Sequence, residues 1–129
     1  MARPLVVLVL SADGVTRRSC EQGLTVWGFE VLTASTGPEA LYLMDSSRRI
    51  DVLVTDAELE GEIDGLAVAQ LARERNPKVQ LIYSAEYPHR IPRARMIDGS
   101  PCFRSPYGAQ QIAGVINAVI SRRAMPEAA

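Results

Sequence analysis

Short apolar runs alternate along the chain with longer stretches whose apolar residues recur every three or four positions. This is the pattern of strands interleaved with helices. Leu5 to Leu10 is continuously apolar, as a parallel strand covered on both faces requires. Cys20, Leu24 and Trp27 follow at helical spacing and predict a helix packed through those residues, with Gly28 as its stop. Phe29 to Ala34 predicts a second strand. Thr36-Gly37-Pro38-Glu39 has the form of a capping box with proline near the first turn, and Ala40, Leu41 and Met44 give the next helix an apolar face. Val52 to Thr55 predicts a third strand that ends on Asp56. Gly65 to Asn76 predicts a helix with Leu66, Ala69 and Ala72 inward, stopped by Pro77, and Val79 to Tyr83 a fourth strand.

The period then breaks. Residues 86–100 carry Pro88 and Pro92 without a clean repeat, so the helix expected between the fourth and fifth strands is short or missing. Cys102-Phe103 predicts a short fifth strand. Ile112, Val115, Ile116 and Val119 mark a final helix, with a frayed end from Met125 onward. Right-handed crossovers between five such strands give an α/β fold: a flavodoxin-like, doubly wound, five-stranded parallel sheet. Repeats and linkers are absent, and a single domain over 1–129 is expected.

Composition narrows the function classes. At 129 residues the chain can bury a real core, so no metal or disulfide staple is required. Fourteen Lys and Arg against fifteen Asp and Glu leave a net charge of −1, which argues against a broad electrostatic grip on nucleic acid or an anionic membrane. The Leu5–Leu10 run is too short to span a bilayer or to form a signal-peptide core. Cys20 and Cys102 have no metal-ligand spacing and read as two buried thiols in a reducing cytosol, so a cytoplasmic location is expected. Charge is segregated locally: Glu58, Glu60 and Glu62 make one loop acidic, while Arg90, Arg93 and Arg95 form a basic cluster read as a solvated face. His89, the only histidine, reads as a solvated loop residue and Trp27 as packing.

In an open parallel sheet, chemistry gathers beyond the carboxyl ends of the strands. Those ends carry Ser11, Ala12 and Asp13, then Asp56, Ser84 and Ser105. Asp56, alone after an apolar strand, is either a turn carboxylate or a functional one. Asp13 precedes a helix and reads as its N-cap. No glycine-rich phosphate loop follows the first strand, which weighs against a flavodoxin-like enzyme or nucleotide-binding protein, kept here as an alternative from another class.

The run from Asp51 through Asp56 to Asp64-Gly65-Leu66 resembles the phosphoacceptor segment of response-regulator receiver domains. Leu59, Glu60, Gly61, Ile63, Asp64 and Gly65 fall on the loop D-x-x-M-P-G-x-M-D-G of a group of short stand-alone receivers. Ile82-Tyr83-Ser84-Ala85-Glu86 resembles the segment that ends strand four on Thr or Ser, and Phe103-Arg104-Ser105-Pro106-Tyr107 resembles L-P-K-P-Y. The ordered resemblance covers residues 4–121.

The resemblance implies phosphoryl transfer from a histidine kinase to an aspartate, with Mg²⁺ neutralising the phosphoryl oxygens. It places the acceptor on Asp56 and the hydroxyl on Ser84. The family's acidic pair falls on Ser11 and Ala12 and its lysine on Ser105, so the site keeps its nucleophile and loses most of its charge. Mg²⁺ binding is therefore expected to be weak or absent, with Asp56 and Glu58 as the remaining ligands. The family's strand-five switch aromatic falls on Cys102. The chain is expected to be a non-enzymatic, degenerate, stand-alone receiver that acts by contact with a histidine kinase or another signalling protein. A homodimer is left open, and neither membrane nor direct nucleic acid is expected as a partner. Arg93, Arg95, Cys102, Phe103 and Tyr107 are the expected interaction face. The alternative is a fully phosphorylatable receiver that uses Glu58 or Asp13 near the metal.

Overall fold

The computed structural model describes residues 3–46 and 49–124. The expected fraying from Met125 onward lies outside the described residues. Five strands, β1 (Val6–Leu10), β2 (Glu30–Ala34), β3 (Val52–Asp56), β4 (Gln80–Ala85) and β5 (Cys102–Arg104), alternate with α1 (Gly14–Val26), α2 (Gly37–Asp45), α3 (Gly65–Arg75) and α4 (Ala109–Ala124). All strand pairs are parallel, in the order β2-β1-β3-β4-β5. The order reverses beside β1, so β1, β3 and β4 meet at the switch point where such sheets bind.

The central strands are apolar throughout because both faces are covered. Leu8, Leu10, Leu53, Leu81 and Tyr83 enter one core beneath α2 and α3. Val7, Val9, Val52, Val54 and Ile82 enter a second core with Cys20, Leu24, Ile112 and Ile116 from α1 and α4.

Local signals start α1 and α2 where expected, and α3 begins on a further cap at Asp64. Asp13 caps α1, Thr36 caps α2 and Asp64 caps α3, each accepting a backbone N–H of the first turn. Glu39 completes the box by accepting the N–H of Ser35. Gly28, at φ +93°, takes the chain out of α1 through a conformation that glycine adopts without strain.

Buried Asp51, just before β3, accepts the Val6 N–H at 2.8 Å and both guanidinium nitrogens of Arg3 at 2.9 Å. It ties the start of β1 to that of β3. Burial opposes its charge, but the Arg3 and Val6 hydrogen bonds outweigh that effect and hold its carboxyl below the usual range.

Two expectations need correction. Trp27 is not a packing residue: it stands past the last turn of α1 with 53% of its surface exposed. Cys102 is half-buried rather than buried, because β5 is the edge strand. The basic cluster is a solvated face as expected, with Arg90, Arg93 and Arg95 all exposed. Between β4 and β5 lie two 3₁₀ turns, Pro88–Arg90 and Arg93–Arg95, in place of a longer crossover helix. Pro88 and Pro92 remove backbone donors there, and no apolar stripe holds a longer helix on the sheet. Among the described residues no helix is long and apolar enough to cross a membrane.

Candidate functional site

At the carboxyl end of β3, Asp56 is half-buried between two neighbouring strand ends. The Ser84 hydroxyl, itself buried, donates to Asp56 Oδ1 at 2.9 Å. The Ala12 N–H donates to Oδ2 at 3.2 Å. Parallel register puts Asp56 beside Ser84, and the Ala57 N–H donates to the Ser84 carbonyl at 2.8 Å, which locks the pair.

These residues open into a small pocket of about 240 Å³. Its lining includes Asp56, Ser11, Asp13, Glu86, Ser105 and Tyr107. The fold thus brings together four of the residues expected at the strand ends, Ser11, Asp13, Asp56 and Ser105, with Ala12 and Ser84 bonded to Asp56. Ser11 is buried, and its Oγ accepts the Asp13 N–H at 3.2 Å. Among the described residues no cationic side chain lines the pocket.

The Mg²⁺ that the resemblance implies can be tested against this donor set. Asp13 is committed to the α1 cap: its oxygens accept the Val15 N–H at 3.3 Å and the Thr16 hydroxyl at 2.7 Å. Those hydrogen bonds, the Thr16 hydroxyl foremost, hold its carboxyl below the usual range. Glu58 is exposed and faces a separate depression lined by Ala12, Ser35, Thr36, Leu59 and Glu60, not the pocket that Asp56 lines. Among the described residues no group of three or more His, Cys, Asp or Glu side chains is placed to hold a metal ion. The residues present do not fit a resident Mg²⁺ in this arrangement, and no step below is routed through one.

Sequence reasoning missed two neighbours. Glu86, two positions after Ser84, lines the pocket. Arg17, one turn into α1, turns back so that its Nη1 donates to the Ser11 carbonyl at 2.6 Å. The signal for both was distance along the chain: one residue past a strand end, and four past a helix cap.

The face around β5 is less open than expected. Arg93 is exposed and has no ion pair among the described residues, but Arg95 forms two hydrogen bonds to the Asp64 carboxylate at 3.0 and 3.1 Å. Cys102 and Phe103 are half-buried. Tyr107, expected on the interaction face, is buried: its ring meets Phe103 edge-on with 4.8 Å between centroids, and it packs in the same core as Cys20. Burial, then the neighbouring thiol and carboxylates, push the Tyr107 phenol far above its usual range. A larger apolar exposure lies on α1, where Val15 and Val26 are 69% and 86% exposed and flank a groove of about 600 Å³ running to Ala109.

The family model described as "Response regulator receiver domain" matches residues 7–97. A response regulator receiver protein from Sinorhizobium medicae superposes with a TM-score of 0.84 at 24% identity, covering 93% of this chain and 97% of its own. The Vibrio cholerae chemotaxis protein CheY4 superposes at 0.75 with 19% identity, covering 90% and 98% respectively. A cyclic di-GMP phosphodiesterase from Thermotoga maritima is 30% identical over 83 residues, 64% of this chain. The chain spans 22% of that relative's length.

Proposed function

The chain belongs to the response regulator receiver domain family, and from that premise we propose that it is a two-component signalling module whose phosphoryl site is impaired and which works by protein–protein contact. One observation supports this reading: at the carboxyl end of β3, each carboxylate oxygen of Asp56 is bonded to a neutral donor, in a pocket with no cationic side chain among the described residues. Receiver domains hold Mg²⁺ at this site. Here Ala12 offers a backbone N–H where a carboxylate would face the metal, and Ser105 offers a hydroxyl where an ammonium would face the phosphate. Phosphoryl transfer develops negative charge on three oxygens, and each missing countercharge raises its barrier.

The partner that fits is a signalling protein carrying phosphohistidine, or one descended from that docking mode. It would approach over the α1 groove, because exposed Val15 lies two positions beyond Asp13 on the rim of the pocket. Apolar side chains exposed beside a polar pocket are what a docking helix would cover. The proposed module catalyses no turnover of its own.

Asp13 favours the second reading, a still phosphorylatable receiver. It shares the pocket with Asp56, whereas Glu58 does not. In that case an Asp56 oxygen attacks phosphorus, the P–N bond of the partner's phosphohistidine breaks, and the imidazole nitrogen keeps the electron pair.

Acetyl phosphate with Mg²⁺, followed by intact-mass measurement, tests both readings. The wild-type chain should label slowly or not at all. Ala12→Asp with Ser105→Lys should label faster and gain thermal stability on adding Mg²⁺, and Asp56→Asn should abolish the gain. Rapid wild-type labelling that is lost in Asp13→Ala would overturn the impaired-site reading in favour of the second.

A further inference from the structure

We infer that Arg17 is a positioning residue for Asp56 and supplies, through the Ser11–Ala12 peptide, the positive charge that the pocket lacks. That role rests on the receiver reading of Asp56 and deepens it, because it concerns how the site manages charge where the residues present do not fit a resident Mg²⁺. Arg17 is half-buried near the start of α1. Among the described residues no carboxylate forms an ion pair with it. Its Nη1 donates instead to the Ser11 carbonyl at 2.6 Å, a charge-assisted bond to a backbone oxygen.

The other end of the same peptide unit faces Asp56, where the Ala12 N–H donates to Oδ2 at 3.2 Å. A planar trans peptide directs its C=O and its N–H to opposite sides, so the peptide stands between guanidinium and carboxylate. Resonance couples its two ends. Charge drawn onto the carbonyl oxygen makes the N–H a stronger donor, and the carboxylate in turn strengthens the carbonyl as an acceptor.

This line of groups is held on every side. Ser11 is buried, its N–H donates to the Ala34 carbonyl at 3.1 Å, and its Oγ accepts the Asp13 N–H at 3.2 Å. The Arg17 N–H donates to the Asp13 carbonyl at 3.1 Å, so the cap of α1 also sets where the guanidinium starts. The side chain lies back across Gly14, where a Cβ would meet Nη2 at 3.4 Å.

The two oxygens of Asp56 are therefore held unequally. Oδ2 is bonded to a backbone N–H that cannot rotate away and has a cation behind it. Oδ1 is bonded to the Ser84 hydroxyl, a rotor that can turn to another acceptor. Oδ1 is the oxygen free to react, while Arg17 offsets the charge on Oδ2. A guanidinium acting across a peptide offsets less than a cation in direct contact, because Coulomb attraction falls with distance.

The test compares wild type with Arg17→Gln, which keeps a neutral donor, and Arg17→Lys, which keeps the charge. The Ala12 amide proton is read by NMR on the full chain. Arg17→Gln should move it upfield, and Arg17→Lys should leave it near wild type. In an Asp56→Asn background the effect of Arg17→Gln should shrink, because a neutral acceptor polarises the peptide less. Acetyl phosphate in EDTA, followed by intact mass, adds a functional readout: an Asp56 oxygen attacks phosphorus, the P–O bond breaks, and acetate leaves with the electron pair. Arg17→Gln should slow labelling about fivefold, the factor that one neutral hydrogen bond is worth, and Arg17→Lys should restore it. An unmoved Ala12 proton in Arg17→Gln, an effect of equal size in Asp56→Asn, or equal behaviour of Gln and Lys overturns the inference. Should Arg17→Gln not fold, scalar couplings across both hydrogen bonds in wild type decide: their presence supports the line of groups and their absence overturns it. A wild-type chain that takes no label counts against the receiver function alone, and the Ala12 shifts then decide the role of Arg17.

Discussion

Replacing Gly65 by alanine is expected to unseat α3 from the acceptor. The glycine is not there for backbone freedom, since it begins an ordinary helix. It is there for space: the added Cβ would lie 1.7 Å from the Asp56 carbonyl oxygen and 2.7 Å from Thr55 Oγ1. Real Cβ atoms keep at least 3.0 Å from such neighbours, so the gap must open by more than 1 Å, and the nearest atom is backbone that cannot rotate aside. Overpacking of this kind costs about 1–3 kcal/mol. Moving the helix start also weakens the Asp64 cap, worth about 1 kcal/mol, and loosens the half-exposed Arg95 pair. Alanine's better helix propensity returns less than about 1 kcal/mol. The net expectation is a loss of about 3 kcal/mol, a large share of a domain stability on the order of 10 kcal/mol. Urea unfolding followed by circular dichroism measures it. Gly114→Ala, on the exposed side of α4 with nothing within 4 Å of its Cβ, is the control and should stabilise by roughly 0.5–1 kcal/mol. A Gly65→Ala protein as stable as wild type would refute the claim that α3 rests on Asp56.

Three further outcomes are expected. Asp51→Ala leaves the buried Val6 N–H without an acceptor and should cost about 1–3 kcal/mol in the same urea assay. The Asp51 carboxyl is held below its ordinary value of 3.8, so its contribution is complete above about pH 4 and is lost as pH falls through the lower folded value. Thermal scans should show that acid loss shrink in Asp51→Asn. Thr36→Ala removes the acceptor of the Glu39 N–H at the head of α2 and should cost about 1 kcal/mol by chemical denaturation, with Thr36→Ser restoring most of it.

Asp13 shows how a position legible in sequence can still be ambiguous in role. Its place before a helix marked it as a cap, and it does cap α1 while also lining the acceptor pocket. Glu58, two residues from Asp56 in sequence, looked like a candidate for the same pocket, but the loop carries it to a different depression. Tyr107, expected on the interaction face, is buried instead. The chain turns there, and the ring fills the space between β5 and α1 beside Cys20. None of these directions is encoded by spacing alone, because a loop's path depends on what it packs against.

The sequence by itself determined the element order, the parallel sheet, the caps of α1 and α2 and the placement of Asp56, Ser84 and Ser105 at strand ends. These follow from local physics: apolar period, cap chemistry and proline's missing donor act within a few residues. Only the tertiary structure decided that Ala12 and Ser84 each bond one oxygen of Asp56, that Asp51 ties β1 to β3, and that Arg95 pairs with Asp64. Each of these bonds joins residues 28 to 45 positions apart. Such partners become neighbours only after the sheet has set its register, and burial then makes an unpaired polar group too costly to leave where local pattern alone would put it.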